Sequence, residues 1–434
     1  MRAIDGRVEC GYNDGNVKSK EIHAMQYDFT TVIDRRGKDA LAVESIGSGG
    51  WGANPAAPKE GFDPIPMWVA DMNFATCPAI PKAIIERAQH PLYGYFTPSD
   101  EYYNSIIAWR SARGYTDLDR QYIGYENGVH GFVTSAVQAL SAPGDRILLH
   151  SPVYVGFAAD VEGLGRTSVY SPLKRDEAGV WRMDFDDMDR KLKENHIHLA
   201  IFCSPHNPTG RVWERWELER AMEVFEANHC FVISDEIWAD LVFSGRTHIP
   251  TIMVNDWTRA HVAAAYAPSK TFNLAGLVGS YHIVYSDYLR DRITAHGAAT
   301  HYNEMNVLSM HALIGAYSRE GEAWTRELLQ VLEGNCRFAC QPRSVLAGGG
   351  GRHAAGTLYD FSRLHRLLRA HRQNAGRYPS RRLGCRRGLA GRPHVRRPLP
   401  YPCEPGFSAL ARAGSLRSPG SLRVLRVSRT RLFS

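Results

Sequence analysis

Between residues 126 and 290 short apolar runs alternate with longer amphipathic stretches, and this alternation restricts the possible folds more than any other feature. The apolar runs lie at 146–150, 198–203, 230–234, 261–267 and 280–285. The stretches 131–140, 184–193 and 213–228 instead carry apolar residues every three or four positions, the spacing of one helix face. A strand that is apolar throughout is buried on both faces. Such strands alternating with helices predict an α/β protein with a mostly parallel or mixed central sheet covered on both sides. In sheets of this kind the working residues occupy loops at the carboxyl ends of strands.

The chain has 434 residues, 44% of them hydrophobic, enough for two or three domains with a real core. No apolar run approaches the roughly 18–20 residues that a membrane helix needs. Residues 1–16 contain charge and glycine but no apolar signal core. Cysteines at 10, 77, 203, 230, 336, 340, 385 and 403 form no Cys-x-x-Cys pair and no metal spacing, so they read as reduced thiols of a cytoplasmic protein without a metal site. The net charge of +7 combines two opposed parts. Residues 341–434 hold 20 Arg, no Lys and only Asp360 and Glu404 as acids, whereas the first 340 residues carry 32 bases against 43 acids. An acidic body fits a soluble enzyme.

Lys270, in Ala267-Pro-Ser-Lys-Thr-Phe-Asn-Leu-Ala-Gly276, follows an apolar run directly. A partly desolvated amine in such a place has the chemistry to form a Schiff base with an aldehyde cofactor; an isolated Ser-Lys is more often an exposed loop. Thirty-five residues upstream, run 230–234 leads into Asp235-Glu-Ile-Trp238. A carboxylate there can hold a pyridinium nitrogen, and its plainer role is a helix N-cap, since the following residues look helical. Run 198–203 ends in Ser204-Pro-His-Asn207-Pro-Thr-Gly210, where the Asn207 amide can donate to a phenolic oxygen or belong to a simple Asn-Pro turn. Three polar groups at successive strand ends favour the joint reading. Asn127-Gly128-Val129 opens a helix whose free N–H groups suit a phosphate, and Tyr154 follows run 146–150, placed to stack on a ring or to fill the core.

These residues resemble the fold-type I pyridoxal 5′-phosphate (PLP) enzymes of the class I/II aminotransferase group, and within it the MalY/PatB cystathionine β-lyase branch. The matching stretches are Asp34-Arg-Arg-Gly37, Pro66-Met-Trp-Val-Ala-Asp-Met72, Tyr93-Gly-Tyr95, Ser151-Pro-Val-Tyr154, Pro205-His-Asn-Pro-Thr-Gly-Arg-Val-Trp213, Ser234-Asp-Glu-Ile237 and Ser269-Lys-Thr-Phe-Asn273. The resemblance implies that Lys270 binds the cofactor covalently and moves the substrate α-proton. It implies that Asp235 holds the pyridine nitrogen, Asn207 the ring oxygen, and that Tyr154 stacks on the ring. Ser269 and the amides of Gly128 and Val129 would hold the phosphate, and Tyr95 would reach the cofactor of a neighbouring subunit in a homodimer. Two positions depart from the pattern: Trp238 stands where many relatives have a tyrosine, and Val278 where typical aminotransferases have a phosphate-binding arginine.

The implied activity is a carbon–sulfur β-lyase acting on cystathionine or a cysteine S-conjugate, with an aminotransferase or an inactive regulatory relative as alternatives. The implied organisation is a leader at 1–24, a segment at 25–75 contributing to a small α+β domain, a large PLP-binding domain at 76–320, and the rest of the small domain at 321–434. Beyond about residue 340 the sequence is anomalous. A nucleic-acid-binding arm is disfavoured because lysine and interleaved aromatics are missing. Read one base out of frame, 358–374, 402–406 and 414–423 can decode as the family's C-terminal strand, its carboxylate-binding arginine motif and its last acidic helix. A frameshift is therefore expected there, with Arg423 or Arg426 only accidental substitutes for the lost arginine.

Overall fold

The computed structural model describes residues 25–48, 54–301 and 303–340. The expected leader and the arginine-rich tail, with Arg423 and Arg426, lie outside these described residues.

The apolar runs become strands of one seven-stranded sheet. In chain order these are β1 (Ile123–Asn127), β2 (Arg146–Ser151), β3 (Thr167–Pro172), β4 (Leu199–Cys203), β5 (Phe231–Asp235), β6 (Val262–Tyr266) and β7 (Gly279–Ile283). They are arranged β1-β7-β6-β5-β4-β2-β3. Strand β7 is antiparallel to both neighbours; the other adjacent pairs are parallel, so the sheet is mixed. Every residue of β4 and β6 is buried, which is why these strands lack polar alternation.

The period of two decides which core each strand residue joins. Leu148, Ala200, Phe202, Val232 and Ala264 enter one core, shared with Leu218, Met222 and Phe225 of helix 215–227. Their neighbours Ile147, Leu149, Ile201, Ile233 and Ala263 enter the other, shared with Phe132, Val133 and Val137 of helix 128–140. Each fully buried Leu, Ile, Val, Phe or Met among them stabilises by about 1.5–3 kcal/mol. The helices of nine or more residues are α1 (Ala79–Ala88), α2 (Asp100–Ser111), α3 (Gly128–Leu140), α4 (Val155–Gly163), α5 (Phe185–Glu194), α6 (Arg215–Ala227), α7 (Asp287–Thr300), α8 (Val307–Ala316) and α9 (Arg319–Cys340). Among the described residues no helix is long and apolar enough to cross a membrane.

Two strands of this sheet have no counterpart among the apolar runs. β1 reads Ile-Gly-Tyr-Glu-Asn, and its Glu126 is buried because His282 Nδ1 meets it at 2.7 Å and Asn303 Nδ2 at 2.6 Å. β3 sits at the sheet edge and is mostly accessible. The helix expected after Asp235 does not form; residues 237–240 are a turn. The Glu236 N–H continues the ladder to the Ala265 carbonyl, and Ala239 and Leu241 donate back only three residues.

Contacts divide the described chain into two units, one of residues 25–34 with 70–301 and 303–340, the other of residues 35–48 and 54–69. In the first, residues at 25–34 pack on α9: Phe29 lies against Trp324 and Phe74, and the Gln26 and Tyr27 N–H groups donate to Glu327. In the second, a helical turn at Leu41–Glu44 accepts the Trp68 indole N–H on Ala42 O at 3.0 Å.

Gly315 of α8 sits against the backbone of α1; a Cβ there would stand 2.7 Å from Ala79 O. Gly315→Ala is therefore expected to cost about 1–3 kcal/mol. Urea unfolding checks this, and an unchanged midpoint would show that the two helices can part without penalty.

Candidate active site

Parallel register brings three loops to one edge of the sheet. Cys203 of β4 stands opposite Asp235 of β5, and Asp235 opposite Ala265 of β6. The loops carrying Asn207, Asp235 and Lys270 consequently leave adjacent strands side by side.

Asp235 is the last residue of β5 and is buried. One carboxylate oxygen accepts the Ile237 N–H at 3.0 Å. That contact satisfies a turn instead of capping a helix. Burial pushes the carboxyl up to about 6, opposed by the Ile237 bond and the charges of His130 and Lys270. Lys270 follows β6 in a compact turn where Phe272 N–H donates to Pro268 O and Leu274 N–H to Ser269 O. Burial lowers the amine's pKa, while Asp235 and Asp71 resist the shift. The amine lies 3.4 Å from Ala70 O and 5.8 Å from the centroid of the Trp238 ring.

The turn is held on both sides. Asn273, at φ +58°, donates to Met72 O at 2.9 Å and accepts the Met72 N–H at 3.2 Å. Thr271 donates to Asp240, whose carboxylate is buried with Arg110 at 3.3 Å. Arg110 in turn reaches the hydroxyls of Tyr281 and Tyr317. A neutral replacement of Asp240 would leave the buried Arg110 guanidinium uncompensated, so this network anchors the lysine turn firmly.

Asn207 lies in the loop after β4, closed by His206 N–H to Arg211 O and Gly210 N–H to His206 O, both at 2.8 Å. Among the described residues nothing hydrogen-bonds its side-chain amide, although the residue is only 9% exposed. Gly128 opens α3 at φ +75°, a conformation glycine takes freely, and the first-turn N–H groups, Val129's among them, have no side-chain cap from Asn127. Ser269 sits in the lysine turn itself. Tyr154 immediately precedes α4, and its hydroxyl pKa is raised by burial and by the charges of Asp235 and Asp160. Tyr95 stands apart, fully exposed in the stretch between α1 and α2.

The two departures are also placed. Trp238 is buried beside Lys270, where its indole can donate but not accept a hydrogen bond. Val278 adopts φ +58°, and its Cγ1 stands 4.0 Å from where a Cβ on Gly128 would be. An aliphatic side chain thus occupies the approach to the α3 N-terminus. His130, which carries no motif, also belongs to the site: Nδ1 meets Asp160 at 2.6 Å and Nε2 meets the Tyr154 hydroxyl at 3.1 Å. Its one sequence signal is its place in the first turn of the helix that Gly128 opens.

The family described as Aminotransferase class I and II matches residues 64–319. Cystathionine beta-lyase PatB of Bacillus subtilis (strain 168) is 35% identical over 277 residues, 64% of this chain and 71% of that protein. Protein MalY of Escherichia coli (strain K12) is 31% identical over 317 residues, 72% and 77% of the two chains. Among solved structures, cystalysin from Treponema denticola, described as containing a pyridoxal 5′-phosphate cofactor, superposes with TM-score 0.68 at 28% identity over 73% of this chain and 78% of its own. The PLP-bound C-S lyase from Staphylococcus hominis gives 0.65 at 31%, covering 73% and 76%.

The raised Asp235 carboxyl has a measurable consequence. The folded chain keeps a proton that the unfolded chain, near 3.8, has released. This contribution to stability is full below about pH 4 and lost as pH rises through about 6. Without added ligand, Asp235→Asn should exceed the wild type in stability above pH 6 by on the order of 2–3 kcal/mol, the advantage fading toward pH 4. Denaturant titrations across that range check it, and equal stabilities at pH 7.5 would contradict the burial of a charge.

Proposed function

We propose that this chain, which belongs to the aminotransferase class I and II family, is a PLP-dependent carbon–sulfur β-lyase. Its substrate would be cystathionine or a cysteine S-conjugate, converted with one water into a thiol, pyruvate and ammonia. The observation that supports this most is the convergence of a desolvated Lys270 amine and a buried Asp235 carboxylate at the ends of adjacent parallel strands. The relatives named above as cystathionine β-lyase and C-S lyase favour β-elimination over transamination. Val278 in place of a phosphate-binding arginine points the same way.

The residues present fit the cofactor. Asp235 supplies the anion for a pyridinium, Asn207 an unengaged amide for the ring oxygen, and the Gly128 and Val129 N–H groups with Ser269 a phosphate cradle. Bound PLP supplies an electron sink that stabilises negative charge at the substrate α-carbon. Lys270 Nζ serves as the base for the α-proton, because burial keeps a neutral amine available at lower pH than for a free lysine. Asp235 stays anionic when a positive partner is bound, since that partner offsets the burial that raises its pKa. The Arg110–Asp240–Thr271 chain and the Asn273–Met72 pair hold the Lys270 turn in place as proton transfer proceeds.

Residues 76–320 would form the large cofactor-binding domain, with 25–75 contributing to a smaller one. A homodimer, in which Tyr95 reaches the partner's site, is supported by the full exposure of Tyr95 beside exposed Leu92 and Tyr93. A cytoplasmic location is supported by free, buried cysteines at 77, 203 and 230.

The test is pyruvate release from cystathionine with PLP and no 2-oxo acid present. Release supports the lyase. Amino-group transfer that depends on an added 2-oxo acid would establish an aminotransferase instead. Lys270→Ala should lower the rate by about 10²–10⁴-fold and abolish the visible absorbance of the bound cofactor; a wild type without that band would reject the cofactor reading.

A further inference from the structure

His130, Asp160, Gly156 and Tyr154 form a local arrangement that no motif announces. The Asp160 carboxylate can only accept, so Nδ1 of His130 carries a hydrogen and donates to it at 2.6 Å. That bond fixes the ring so that Nε2 meets the Tyr154 hydroxyl at 3.1 Å. On its other side the Tyr154 ring meets the buried Phe157 edge-on, centroids 5.5 Å apart and planes at 86°. Its phenol end has the imidazole, 5.3 Å away between centroids.

Gly156 makes the arrangement possible. A Cβ there would overlap the His130 ring and stand 2.7 Å from Tyr154 Cε1. A surface ion pair of His and Asp would need no such clearance. Nor is the pair remote from the chemistry, because the charges of Asp235 and Lys270 both act on His130.

We propose that His130, clamped by Asp160 and accommodated by Gly156, is a positioning residue that fixes the Tyr154 phenol and so holds its ring for stacking on the cofactor. The inference rests on the PLP reading above. Tyr154 is only partly buried, and a ring held by Phe157 alone would be free to swing toward solvent. The His130 bond removes that freedom before the cofactor arrives, which strengthens binding by lowering the cost of ordering.

The test uses the full chain loaded with PLP, reading the cofactor dissociation constant and the circular dichroism of its visible band, which reports ring orientation. His130→Ala should weaken binding about 3- to 10-fold, the worth of one neutral hydrogen bond, and should alter the dichroic band. His130→Gln, whose amide reaches the Nε2 position, should retain most of the affinity. His130→Asn, which reaches only toward Asp160, should not. In a Tyr154→Phe background His130→Ala should add nothing, because its effect passes through the phenol. Wild-type affinity in His130→Ala, or an undiminished loss in the Tyr154→Phe background, would overturn the proposal with the lyase reading intact. A wild type with no visible band would overturn both, and is distinguishable from either of those results.

Discussion

The register between β4, β5 and β6 is the constraint on which the site depends. It places Cys203, Asp235 and Ala265 side by side, so that the loops just beyond carry an amide, a carboxylate and an amine to one edge. A shift of one residue in any of these strands would send the strand's apolar residues to the wrong core and its loop to the wrong height. The site and the hydrophobic core are therefore specified by the same interaction. Burial enforces it: β4 and β6 have no accessible residue, leaving neither face free to tolerate a slipped register.

That burial also generates the electrostatics. Asp235 and Lys270 are desolvated by the sheet and helices around them, and each shifts in the direction that disfavours its own charge. Their opposite charges resist these shifts, so the pair is poised. Behind it a polar layer is satisfied within the fold. Glu236 accepts from Thr251 N–H at 2.9 Å and from the Tyr266 hydroxyl, and faces His248 at 2.7 Å. Asp240 meets Arg110 and Arg113. Asp235 and Glu236 are adjacent and both buried, yet only Asp235 is raised, because Glu236 is hydrogen-bonded by His248, Tyr266 and Thr251 and held low. The carboxylate left with a single backbone bond is the one turned to the candidate site.

Much of this was legible beforehand. Continuous apolar runs marked β2, β4, β5, β6 and β7 to within one or two residues, since a strand buried on both faces must be apolar throughout. The helix at 128–140 was legible from its apolar spacing over 131–140 and from its opening at Asn127-Gly128-Val129, though the part played by His130 in its first turn was not. β1 escaped notice because its buried Glu126 is compensated by His282 and Asn303, residues distant in the chain. The turn at 237–240 was mistaken for helix because its composition suits one; the ladder bond from Glu236 to Ala265 prevents it.

The sequence by itself determined the layered α/β plan and the identity of Lys270, Asp235 and Asn207 as strand-end polar groups, because both follow from local patterns of burial and chain order. Only the tertiary structure decided which distant side chains meet there. His130 joins Tyr154 and Asp160 across 24 and 30 residues, and Gly156 matters solely for the space it leaves. Periodicity reports whether a residue faces the interior; it holds no record of what it faces. That depends on how helices cross the sheet, and packing settles it residue by residue.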